Sequence, residues 1–194
     1  MTSGVNMDPL SGTLREITAA LNRLGIRYAI GGSIASSARS IWRTTLDVDV
    51  VAAIAPSQAE MLAQSLGKDW YVPVDEARRS IEAGRSFNVI HMRNALKVDI
   101  FPAHEMFHHT QLSRATVLWL ADEGVPCAVT TAEDILLAKL RWYADGGQTS
   151  DRQWSDITGI LVQNPNLDWA YVDSWAAHLH VVDLLERARA DSAR

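Results

Sequence analysis

Asp47-Val48-Asp49-Val50-Val51-Ala52-Ala53-Ile54 is rich in β-branched residues and closes at Pro56-Ser57, so it reads as a strand. Side chains alternate along a strand, so Val48 and Val50 share one face and Asp47 and Asp49 the other, with Cα atoms roughly 6–7 Å apart. Two like charges on one sheet face repel. A hard divalent cation such as Mg²⁺ removes the difficulty, because it prefers carboxylate and phosphate oxygens. Val98-Asp99-Ile100 repeats the pattern. If that strand lies beside the first, a third carboxylate completes a cluster suited to in-line phosphoryl displacement.

Upstream, Ile26–Ile30 is a short strand halted by Gly31-Gly32-Ser33, and Ile34, Ala38, Ile41 and Trp42 recur at helical spacing directly afterwards. Glycines let a backbone approach a phosphate closely, a helix start presents free N–H groups, and Ser33 adds a hydroxyl. An ordinary tight turn explains a lone Gly-Gly-Ser equally well. The succession of strand, Gly-Gly-Ser, short helix, Asp-x-Asp and a later single Asp in a strand is far more specific.

Other elements follow from periodicity and punctuation. Leu14, Ile17, Leu21 and Leu24 mark a helix ended by Gly25, and Gln58–Leu66 a second helix ended by Gly67. Val74–Ala83 is a short amphipathic stretch. Phe87–Met92 with Lys97–Phe101, and Ala115–Leu120 with Pro126–Val129, form two predicted hairpins. Thr130 with Glu133 makes a capping box before a helix over Ile135–Tyr143. After the linker Asp145–Ser150, the helices Asp151–Val162, Leu167–Leu179 and His180–Ala190 follow. The expected fold class is α/β: a small mixed twisted sheet with flanking helices over residues 1–145, then a helical region over 146–194.

Composition narrows the function classes. The chain has 194 residues, a formal charge of −5 and 47% hydrophobic residues, ordinary for a globular domain and against broad wrapping of nucleic acid. Lone Cys127 excludes an intramolecular disulfide and a Cys-rich zinc module. The N-terminus lacks the basic and apolar regions of a signal peptide, and no apolar run reaches the ~20 residues of a membrane span. These features predict a soluble, cytoplasmic protein.

Gly31-Gly32-Ser33, Arg43-x-Thr45-x-Asp47-x-Asp49 and Val98-Asp99-Ile100 together resemble the signature of polymerase-β-type nucleotidyltransferases, and more narrowly the small bacterial proteins related to AbiEii-type toxins. Lys139 on one helix and Asp156 on the next are similar to that group's downstream block. The resemblance covers about residues 28–161. It implies that Gly31, Gly32 and Ser33 hold an NTP such as ATP, and that Asp47, Asp49 and Asp99 bind Mg²⁺ (or Mn²⁺), Asp99 also helping to deprotonate a hydroxyl acceptor. Lys139 would meet the phosphates, and Arg43 would contact phosphate or pair with a carboxylate. Thr45 and Asp156 belong to the same pattern. The implied acceptor is an RNA 3′ end, a protein or a small molecule, with a cognate antitoxin as the partner. The alternative from another class is a nucleotide-binding module without transfer activity.

Two further patterns compete. His104-Glu105-Met106-Phe107-His108 matches H-E-x-x-H, the zinc-peptidase motif, but Pro102 places it at the start of any helix. Trp142, Trp154, Trp169 and Trp175 invite base stacking, yet their spacing beside Leu and Ile reads as core anchors of the helical tail.

Overall fold

The computed structural model describes residues 8–38, 47–121 and 124–192. The described residues divide into two compact units, 8–34 with 47–121 and 124–130, and 35–38 with 131–192.

In the first unit, helix α1 (Pro9–Arg23) starts five residues before the expected Leu14 because Asp8-Pro9 is itself a helix start. The Asp8 carboxylate accepts the Ser11 N–H at 2.9 Å, and Pro at N1 has no amide to leave unpaired. Gly25, at φ +65°, turns the chain out of the helix, and the Ile26 N–H returns to the Leu21 carbonyl at 2.9 Å. Strand β1 (Tyr28–Ile30), helix α2 (Gly32–Ala38), strand β2 (Asp47–Ala52), helix α3 (Gln58–Leu66), strand β3 (Trp70–Tyr71) and helix α4 (Val74–Glu82) follow. Next come β4 (Phe87–His91), β5 (Lys97–Pro102), helix α5 (Met106–Arg114), β6 (Thr116–Leu120) and β7 (Val125–Val129). Two residues of β3 are too few to show a period, so that strand is invisible in the sequence.

The strands form a seven-stranded mixed sheet in the order β3-β4-β5-β2-β1-β7-β6. Both expected hairpins are present, β4–β5 and β6–β7, each antiparallel. Strands β2 and β5 are parallel neighbours, and β1 lies antiparallel on the other side of β2. One sheet face is sealed: Val48, Val50, Val89, Val98 and Ile100 are fully buried. Helix α1 lies on that side, since its Glu16 accepts the Trp70 indole N–H at 2.7 Å and sits 3.4 Å from His91 Nε2. Burying such side chains contributes about 1.5–3 kcal/mol each, and this fixes which residues of β2 and β5 are left for the opposite face.

The second unit contains α6 (Ala132–Asp145), α7 (Asp151–Gln163), α8 (Trp169–His178) and α9 (Val182–Ser192), close to the expected spans. Leu136, Leu137, Leu140, Ile157, Val172, Leu185 and Ala188 form its buried interior. The N-cap of α6 is Thr131, one residue later than expected: its hydroxyl accepts the Asp134 N–H at 3.3 Å. Glu133 instead accepts the Asp168 N–H at 3.2 Å. The tryptophans are also not core anchors. Trp142 is 55% exposed, Trp154 lies under the Arg187 guanidinium at 4.2 Å, and Trp169 lies under Arg189 at 4.1 Å. Trp154 and Trp169 each carry an arginine over the ring. No helix among the described residues is long and apolar enough to cross a membrane.

Candidate active site

Parallel pairing of β2 with β5 puts Asp47 opposite Lys97 and Asp49 opposite Asp99. Paired residues on neighbouring strands lie about 4.8 Å apart and point the same way. The sealed valines therefore force all four charged side chains onto the other face. Asp99 is thus a direct lateral neighbour of Asp49, turned away from the core.

The glycine turn abuts this pair. The Gly31 N–H donates to the Asp49 carbonyl at 2.8 Å, so the chain leaves the sheet beside that carboxylate. Gly32 has φ +56°, and a Cβ there would lie 1.6 Å from Asp49 Oδ2 and 2.5 Å from its Cγ. Neither the conformation nor the space admits another residue. Gly31 is different, because a Cβ there meets nothing within 4 Å. Ser33 follows, half-buried, in the first turn of α2.

Lys97 is the member that sequence reasoning missed. Its Nζ lies 2.9 Å from Asp99 Oδ2 and 3.8 Å from Asp47 Oδ1. The hydrogen bond to Asp99 raises its pKa, partial burial opposes this, and the charges of Asp99, Asp47 and Asp49 reinforce it. The signal was present: Lys97-Val98-Asp99 alternates as Asp47-Val48-Asp49 does, so the lysine had to share the acids' face. Asn88 on β4 is paired with Asp99 from the other side.

The donor set is all carboxylate oxygen, which suits a hard divalent cation and not a thiophilic one. Among the described residues, however, no three Asp, Glu, His or Cys side chains are gathered closely enough to hold a metal ion. The backbone register suits a shared cation better than the side-chain positions do, and an ammonium stands among the carboxylates.

The remaining site residues fall elsewhere. Lys139 belongs to the second unit, where its Nζ meets Asp156 Oδ2 at 3.1 Å across α6 and α7. Both side chains are about one-fifth exposed, so the sequence pattern joined a true pair. Arg43 and Thr45, like Ile41 and Trp42 of the expected helix, lie outside the described residues.

The H-E-x-x-H stretch does not form a metal-binding helix face. Glu105 is the N-cap of α5, which leaves His104 outside the helix and His108 inside it. His108 Nδ1 accepts the Glu105 N–H at 3.4 Å, while the His104 ring packs over Gly84, where a Cβ would fall 2.8 Å from it. A zinc motif needs both imidazoles on one helical face. Here one is a capping group and the other a loop plug.

No protein-family model matches the chain, and no characterised protein matches it by sequence. Solved structures do match. One is a solution structure of the antibiotic-resistance factor ANT(2'')-Ia, at TM-score 0.51 and 17% identity, over 94% of this chain and 97% of that one. Another is the crystal structure of ANT(2'')-Ia in complex with adenylyl-2''-tobramycin, at TM-score 0.51 and 16% identity, over 89% of this chain and 98% of that one. A third is an antigenic nucleotidyltransferase-like protein from Paracoccidioides brasiliensis, at TM-score 0.51 and 19% identity, over 92% and 91% of the two chains. The chain has the nucleotidyltransferase fold. In that fold, this chain carries Asp47, Asp49, Lys97 and Asp99 on the open face of β2 and β5, with Gly32 against Asp49.

Proposed function

We propose that this protein is a Mg²⁺- or Mn²⁺-dependent nucleotidyltransferase that moves an NMP from an NTP to a hydroxyl acceptor. The observation that carries the reading is the pairing of Asp49 with Asp99, and of Asp47 one step along, on the open sheet face beside a glycine that tolerates no side chain. In the proposed reaction the acceptor oxygen bonds to the α-phosphorus, the bond to the β-phosphate oxygen breaks, and pyrophosphate leaves. The acceptor proton passes to a carboxylate of the set, assigned to Asp99. Asp47, Asp49 and Asp99 would hold the divalent cation, which when bound supplies charge neutralisation for the phosphates. Gly32 and Ser33 would seat the triphosphate.

For the acceptor, an adenylylated small molecule in one structural neighbour supports a small-molecule hydroxyl. The AbiEii-like sequence pattern supports an RNA 3′ end, with an antitoxin as partner. The test is transfer of α-³²P from each NTP, with Mg²⁺, to three separate pools: total RNA, lysate protein and a polyhydroxylated small-molecule panel. Label on any one pool, lost in Asp49→Asn, is the expected result; no label on all three overturns transfer. One observation favours a binding module instead. Lys97 already offsets the clustered negative charge, so the acids can persist without a working metal site. NTP binding with no labelled product in any pool would establish that second reading.

A further inference from the structure

We infer that Lys97 is the resident counter-ion of the acidic site, and that its ammonium must withdraw before a divalent cation can take the carboxylates. The inference deepens the nucleotidyl-transfer reading and rests on it. Lys97 does not make an incidental surface pair. Strand register places it directly opposite Asp47, alternation places it on the face of Asp99, and its Nζ reaches both, at 3.8 and 2.9 Å. It occupies the space among acids drawn from two strands, the space a cation bridging those strands would need.

The same arrangement accounts for two observations at once. Three carboxylates at adjacent sheet positions would repel without compensation, and one ammonium among them removes much of that cost. Among the described residues the acids are nevertheless not gathered as a metal-ligand group, and the ammonium, with three N–H donors, is shared between Asp99 and Asp47. Withdrawal is easy. The Lys97 side chain is 37% exposed, and its four-carbon stem can carry the ammonium into water without leaving a buried void. The lysine thus acts as a positioning residue: it offsets part of the acids' charge and holds Asp99 and Asp47 when no cation is present, and it competes with the cation for them.

The experiment is Mn²⁺ titration of the full-length protein followed by electron paramagnetic resonance, without nucleotide, on wild type, Lys97→Met, Lys97→Gln, Lys97→Arg and Asp99→Asn. Loss of the competing ammonium should tighten Mn²⁺ binding on the order of tenfold in Lys97→Met and Lys97→Gln. Lys97→Arg, which keeps the charge, should stay near wild type, and Asp99→Asn should weaken binding. Mn²⁺ should also raise the melting temperature of Lys97→Met more than that of wild type. Two neutral variants are used so that a folding defect in one leaves the other to decide. Equal or weaker Mn²⁺ binding in a folded neutral variant overturns the inference. If wild type binds Mn²⁺ and Asp99→Asn weakens it while the neutral Lys97 variants bind no more tightly, Lys97's role alone falls; if neither wild type nor the neutral variants bind, the metal-dependent reading falls with it.

Discussion

Gly32 is the residue at which backbone and site chemistry are least separable. Its left-handed φ and the 1.6 Å approach of a would-be Cβ to Asp49 Oδ2 act together. Gly32→Ala should therefore lower stability by about 1–3 kcal/mol and turn the Asp49 carboxylate away from its seat. Thermal melts and labelled-phosphate transfer check both effects, and a Gly31→Ala control, with open space, should cost much less stability. The aspartates behave in the opposite sense. Replacing Asp47 and Asp49 together with Asn removes like charge from one sheet face but also the Asp47–Lys97 contact, so the fold should survive with a melting temperature near wild type. Transfer should drop by roughly a thousandfold or more, since electrostatic stabilisation is the main contribution available to such a site. Transfer that survives the double change would sink the assignment of these two residues.

At the scale of elements, ends matter as much as faces. Thr131 caps α6 through the Asp134 N–H, and its hydroxyl also donates to Asp134 Oδ2 at 3.1 Å. Asp134 is fully buried and accepts the Tyr171 hydroxyl from α8 as well. Thr131→Ala should cost about 1 kcal/mol by loss of the cap. Tyr171→Phe should cost about 1–3 kcal/mol, because it leaves a buried carboxylate short of a donor. Urea titrations of the two variants give these values directly, and a neutral Tyr171→Phe would mean that Asp134 finds another donor. The adjacent pairs Thr130/Glu133 and Thr131/Asp134 fit a capping motif equally well by spacing. Packing decided between them: Thr130 is drawn into the sheet, its N–H donating to the Ile30 carbonyl at 3.0 Å. The start of α5 teaches the same lesson, since a motif defined by helical spacing loses its meaning when its first residue lies before the cap.

For the molecule as a whole, the interior of the sheet unit sets an alkaline limit on stability. Cys127 on β7 is 1% exposed, and burial pushes its thiol up to about 11 from an ordinary 9.0. A folded pKa above the unfolded one means that the contribution is complete below pH 9 and is lost as pH rises through 11. Tyr28, whose hydroxyl is raised by burial and by the neighbouring thiolate, adds to the slope in the same direction. Cys127→Ala should flatten that limb of a stability–pH profile measured by urea unfolding. Two pKa units correspond to about 3 kcal/mol at most. In wild type at pH 8, iodoacetamide should modify Cys127 only along the unfolding transition, because the thiol is neither exposed nor ionised in the folded state. Labelling well below that transition would show that the sheet unit opens locally.

Much of this protein is written in local pattern. Alternation along residues 47–50 and 97–102 settles which side chains are sealed and which are left outside, because a strand has a period of two; beyond Val50 both faces of β2 are buried. The helices of the second unit follow equally from spacing and punctuation. Pattern alone does not say which strands are neighbours or in what register. Only the parallel pairing of β2 with β5, a long-range contact, sets Asp99 beside Asp49 and Lys97 opposite Asp47. The lysine beside Asp47 is a product of that pairing, and the glycine pressed on Asp49 is a product of the β1–β2 pairing next to it. Their chemistry depends on distances between segments far apart along the chain, which no local period encodes.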